Sequence, residues 1–172
     1  KYFNAFNIDN LLVQLEYNHI RPYVYSHSDI ITNYGTYNQS LGHQWGGNAK
    51  EVVAIARYHK GRYFADAKIT MGVRGLDYDA TANYGGNIYL NYNENRPYDT
   101  NVVTGQGNKT NIFIGDLQAG YLINPATNMK LYGSLIYRNF SPATETFLAV
   151  KESTTWFSIG LRCDIFNWYF DY

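Results

Sequence analysis

The chain of 172 residues has one cysteine, Cys163, so no disulfide framework can staple it. Charge is scarce, at 16% of residues, and 14 Lys+Arg balance 14 Asp+Glu. That balance offers no basic footprint for nucleic acid. Long apolar runs are missing too. The longest, Val52-Val53-Ala54-Ile55-Ala56, falls far short of the ~18 residues a membrane helix needs. No Met opens the chain and no apolar secretory stretch follows Lys1, which reads as a processed chain or a fragment. What is plentiful is aromatic. Phe, Trp and Tyr make up 17% of residues, 18 of them Tyr, at a mean hydropathy of −0.39. Such a load excludes disorder.

No amphipathic helix stands out, and period-two alternation dominates. Over residues 62–74 the odd positions Tyr63, Ala65, Ala67, Ile69, Met71 and Val73 are apolar. Most of the even ones, among them Arg62, Asp66, Lys68, Thr70 and Arg74, are polar. The run exceeds an ordinary strand of about 5–6 residues and suits a tilted membrane strand of about 9–11. Residues 51–59 precede it, and Lys60-Gly61 predicts a two-residue hairpin turn with His59 opposite Arg62. Tyr58 then faces Tyr63, Ala56 faces Ala65, and Arg57 lies diagonal to Asp66. Residues 113–121 and 129–137 repeat the pattern around an Asn124-Pro125-Ala126 turn. A first strand is expected from about Leu11 to Tyr25. The last has Thr155, Phe157, Ile159, Leu161 and Cys163 on one face and Trp156, Arg162 and Asp164 on the other.

Short turns on one side and long polar loops on the other mark an antiparallel transmembrane β-barrel of the bacterial outer membrane, with lipid as its outer partner. About six strands are expected, and the smallest such barrels have about eight. The chain, 1–172, therefore reads as a single segment, the C-terminal part of a larger barrel, with extracellular loops at 26–50, 75–110 and 139–153. Tyr17, Tyr23, Tyr25, Tyr58, Tyr63, Tyr121, Tyr137 and Trp168-Tyr169-Phe170 fall near strand ends, as aromatic girdles do. One feature departs: Phe166, Trp168, Phe170 and Tyr172 have the wrong parity for the apolar face, which predicts a bulge near Ile165-Phe166 or an exit from the strand.

Ser26-His27-Ser28-Asp29 contains the members of a hydrolase triad, but neighbours in an extended segment point to opposite faces, so a turn-forming loop is the preferred reading. His19, His27, His43 and His59 lack metal-ligand spacing, and Asp77-Tyr78-Asp79 lacks the rest of a calcium loop. No glycine cluster stands in a phosphate-binding context, so neither a metal nor another cofactor is expected, and no catalytic residue. Cys163 reads as a small apolar residue facing lipid or a neighbour. The inward set includes Arg57, Asp66, Lys68, Asp116, Lys130 and Arg138, with both signs present, which fits a neutralised interior better than a selective pore. In the loops, Tyr34, Tyr37, Trp45 and Tyr98 sit among Asn, Gln and Asp. Flat aromatic faces and amides suit a glycan; the alternative is that these rings pack the loops onto the rim or into the lumen.

Residues 11–92 carry a further pattern: Leu15-Glu16-Tyr17, Arg21-Pro22-Tyr23-Val24-Tyr25-Ser26-His27-Ser28, Tyr37-Asn38-Gln39, Leu41-Gly42-His43 and Gly47-Asn48-Ala49-Lys50-Glu51. This stretch resembles the C-terminal barrel half of the Wzi-like capsule-assembly proteins of Bacteroidota, the group that includes the gliding-motility protein RemB. The ending Phe166-Asn167-Trp168-Tyr169-Phe170-Asp171 is similar to the family's ending. The resemblance implies a non-enzymatic outer-membrane barrel involved in surface polysaccharide attachment or assembly, or a structural subunit of a gliding or secretion complex. Surface polysaccharide and other outer-membrane, secretion or gliding proteins are the partners it implies. A soluble all-β carbohydrate-active enzyme is the reading from another class. It would have to cover long apolar faces that a barrel leaves to lipid.

Overall fold

The computed structural model describes residues 1–163. The expectations for Asp164 and the terminal aromatics fall outside the described residues. Within them the fold is all-β. Six long strands are β2 (Leu11–Ile20), β5 (Ala49–Lys60), β6 (Tyr63–Leu76), β7 (Asn108–Asn124), β8 (Met129–Pro142) and β9 (Glu152–Arg162). Three short ones are β1 (Tyr2–Phe3), β3 (Gly35–Thr36) and β4 (Gln39–Ser40). One antiparallel sheet has the order β1-β2-β5-β6-β7-β8-β9, and β3-β4 is a separate hairpin. Among the described residues β1 and β9 do not pair, so the sheet stays open.

Alternation sorts the sheet into two faces. One row across the six long strands reads Val13, Ala56, Ala67, Leu117, Leu135, Phe157. The adjacent row on the other face reads Leu12, Arg57, Asp66, Gln118, Ser134, Ser158. A slip by one residue would exchange the two, which is why one apolar face specifies the register. The apolar face is uncovered: Leu15 and Ile159 are each 70% exposed. Aromatics gather at both its ends, with Tyr63 against Tyr121 at 5.0 Å and Phe113 against Tyr137 at 6.0 Å.

The hairpin joining β5 and β6 corrects the expected turn. Lys60 pairs with Tyr63, and the turn is Gly61-Arg62. Gly61 takes φ +60°, which a side chain resists and which places glycine first in a type II′ turn. The shift is two residues, so both faces survive. Ala56 now faces Ala67, and Arg57 stands directly opposite Asp66 rather than diagonal to it. The turn between β7 and β8 also differs, taking 125–128 after a bulge at 122–124. The first strand stops at Ile20 rather than running to Tyr25. Pro22 has no N–H to offer the ladder, and Tyr23 enters the left-handed region at φ 64°. The strands β5 to β8 run longer than expected, so the second and third long loops shrink to 77–107 and 143–151, while the early end of β2 lengthens the first to 21–48. All three leave one end of the sheet. The connections 4–10, 61–62 and 125–128 close the other.

Candidate functional site

The long-loop end is built around Asn48. This residue is fully buried and left-handed at φ 57°, a conformation Asn tolerates better than most side chains. Its Nδ2 lies 3.1, 3.1 and 2.9 Å from the carbonyl oxygens of Gly75, Tyr84 and Gln106. Its Oδ1 accepts the Gly105 N–H at 2.7 Å. One amide thus ties the start of β5, the end of β6 and two parts of loop 77–107. Backbone must come close for this to work: a Cβ on Gly75 would collide with the Gln106 carbonyl and with Asn48 itself. Neighbouring loops are held by the same chemistry. Asn108 exchanges hydrogen bonds with the Thr144 backbone, and the Tyr23 hydroxyl donates to the Asn83 carbonyl at 2.6 Å. Burial pushes the Tyr23 phenol up, against the pull of Arg96, whose guanidinium lies 4.6 Å from the Tyr23 ring centre.

The expected glycan residues part company. Tyr37 is 97% exposed at the tip of the β3-β4 hairpin, where Tyr37 and Asn38 both take positive φ. Tyr34 is exposed on the same hairpin and packs against Tyr25 at 5.7 Å. Tyr98 is exposed in loop 77–107. Trp45 departs from them: at 8% exposure it lies on the polar face of the sheet, over Gly72, with Ile20 and Ala49. A Cβ on Gly72 would sit 2.5 Å from the indole ring, so the missing side chain is what admits Trp45. Trp45 is a packing residue here, not an exposed platform. Beside it His43 accepts the backbone N–H of Trp45 on Nδ1 and therefore carries its proton on Nε2, which donates to buried Glu51 at 2.8 Å.

The expected inward charges share the polar face. Arg57 is in register with Asp66, and Lys68 with Asp116. With His59, Gln118 and Ser134 these four line a hollow of about 570 Å³. Lys130 sits 5.5 Å from the Phe64 ring centre, and Arg138 lies between Ile114 and Thr154. Ser26-His27-Ser28-Asp29 makes local turn bonds. His27 Nδ1 accepts the Asp29 N–H, and Asp29 caps the following turn through the Ile31 N–H. The Ser26 hydroxyl is buried without a hydrogen bond to His27 or to any other described residue. Asp77 and Asp79 are likewise turn formers: Asp77 accepts the Tyr84 N–H, and Asp79 accepts from the Thr81 N–H and hydroxyl. Burial raises the Asp77 carboxyl, while the Thr81 bonds hold Asp79 low. Among the described residues no cluster of three His, Cys, Asp or Glu suits a metal ion. Cys163 is exposed, with its thiol donating to the Thr127 carbonyl.

Sequence reasoning missed a second cavity, a cleft of about 600 Å³ at the loop end. All three long loops reach it. The β3-β4 hairpin and Gln44 come from the first, Asn87 and Tyr89 from the second, and Leu148 from the third; the end of β6 adds Arg74. The only hint in the sequence was the amide-rich hairpin Tyr37-Asn38-Gln39. Comparison with family models, curated proteins and solved structures gives no match.

Proposed function

We propose that this chain is a segment of an outer-membrane β-barrel whose extracellular loop end engages surface polysaccharide, in the attachment or assembly of a capsule, without covalent chemistry on it. One observation carries the barrel half of this reading: a predominantly apolar, exposed face across six strands, on a sheet that bears the long loops at one end only. On β6 alone the apolar stripe from Tyr63 to Val73 runs about 33 Å along the strand, or about 25 Å of membrane depth at a tilt of ~40°, which matches the apolar band of such barrels. Open sheet edges are not tolerated in lipid, so further strands must complete the wall. Exposed tyrosines among amides, together with the resemblance of 11–92 to Wzi-like proteins, support the polysaccharide half.

Two experiments test it. In a Cys163→Ser background, Tyr37→Cys is expected to react with an impermeant maleimide on whole cells, and Ala126→Cys is not. Labelling of Ala126→Cys alone would invert the topology, and recovery of the protein in the soluble fraction would end the barrel reading. The triple change Tyr34→Ala, Tyr37→Ala, Tyr98→Ala is expected to shed polysaccharide from cells at normal protein abundance. Several platforms share one polymer, so single changes should be milder. Full retention would reject the polysaccharide role, and loss of gliding or secretion with polysaccharide retained would point to a complex subunit.

A further inference from the structure

We infer that the cleft between the β3-β4 hairpin and the end of β6 is the saccharide site, and that it takes an uncharged, polyhydroxylated segment of glycan. This rests on the polysaccharide reading above and adds where the sugar sits and what charge it carries. The cleft, at about 600 Å³, has the size of a small-molecule site. Three of its residues hold buried polar atoms that find no partner among the described residues: Ser40 Oγ, Arg74 Nε and Tyr89 Oη. Groups left this way are costly unless something else supplies a hydrogen bond. Arg74 uses one Nη to donate to the Gly86 carbonyl at 3.3 Å, which leaves donors over.

Around these atoms stand side-chain amides. Those of Asn38, Gln39 and Gln44 make no hydrogen bond within the described residues. An amide offers donors and acceptors together, which is what a hydroxyl requires of its partner. Charge decides the class of sugar. The cleft holds one guanidinium, Arg74, and one carboxylate, Asp77, and they interact with each other. Because the two cancel, the site has no net charge to neutralise an acidic sugar. Ile88, Tyr89 and Leu148 supply the apolar surface against which C–H faces can rest.

The test uses the protein extracted in detergent from its own membrane. The probe is polysaccharide from the same cells, end-labelled with a fluorophore and split by anion exchange into neutral and acidic fractions. Fluorescence anisotropy is expected to show saturable binding of the neutral fraction. The double variant Gln39→Ala, Gln44→Ala should bind at least about tenfold more weakly, since two amide partners are lost. Both positions are exposed and their amides hold nothing in the fold, so heat-modifiable gel migration should match the parent. The conservative Gln39→Asn, Gln44→Asn variant should retain part of the affinity. Equal affinity of parent and double Ala variant would place the sugar elsewhere and overturn this inference alone. Preference for the acidic fraction would overturn the charge assignment. Binding of neither fraction would overturn the inference and the polysaccharide reading together.

Discussion

On β6, Met71 stands exposed on the sheet, whereas Thr70 beside it and Asn48, Asn83 and Asn108 at the loop end are buried. The two regions divide polarity in opposite ways. Strands satisfy their own backbone through the ladder, so their outward side chains are free to be apolar and need only an apolar surrounding. Loops have no ladder. When three of them pack against one another, their carbonyls and N–H groups still need partners, and an amide side chain is the one group that matches a peptide at both ends. Among the described residues the largest fully buried side chains are Asn48 and Asn83 in the loops and Asn108 and Thr110 at the loop end of β7, all polar. The sheet is specified by where it is apolar, and the loop end by which backbone groups its asparagines reach.

The sharpest way to break this contrast is Asn48→Leu. The substitution keeps the branched shape but takes a partner from the Gly105 N–H and from the Gly75 and Gln106 carbonyls, while the Tyr84 carbonyl keeps Gln106 Nε2. At about 1–3 kcal/mol for each group that water cannot reach, and with leucine resisting the left-handed backbone there, the loss should be at least ~3 kcal/mol. Loops 21–48 and 77–107 should become protease-sensitive while the strands keep their heat-modifiable migration. Unchanged loop protection would mean that the polar core does not organise this end.

The matching change on the sheet is Ala67→Arg, in the middle of the apolar row. If the sheet forms the barrel wall proposed above, a charge at bilayer midplane costs about 2–4 kcal/mol, so the yield of assembled protein should fall steeply. Lys68→Gln, one residue on and on the polar face opposite Asp116, should assemble normally. Equal yields for the two would erase the distinction between the faces.

These two regions were not equally legible in the sequence. Alternation is local, so residues 62–74 revealed both faces of β6, and the faces held although the hairpin register moved by two. That shift came from a single backbone angle at Gly61, which a letter does not state. The loop end needed contacts between distant parts of the chain. Trp45 looked like any loop aromatic, and its burial depends on the space left at Gly72. The cleft draws Ser40, Arg74, Tyr89 and Leu148 from far apart in the chain, so no single motif marks it. Asn48 sat inside a Gly-Asn-Ala stretch that also reads as an ordinary turn.

A smaller effect refines the contrast, because loop 77–107 buries a carboxyl group, Asp77, just past the end of β6. Burial raises Asp77 above the ordinary carboxylate range, with the Tyr84 N–H and Arg74 pulling it back. A raised acid holds its proton to higher pH in the folded loops than in the unfolded chain. Its contribution is therefore complete below the ordinary carboxylate pKa and declines as pH rises through the folded value. Asp79, held low by Thr81, acts with the opposite sign but lies in solvent, where screening weakens it. Asp77→Asn keeps an oxygen for the Tyr84 N–H and removes the titration. Protease resistance of loop 77–107, measured in urea from about pH 3 to about pH 7, should decline with pH more steeply in the parent than in the variant. Identical slopes would show that Asp77 is solvated in the native loops, and that the loop end tolerates an exposed charge as the outer face of the sheet does not.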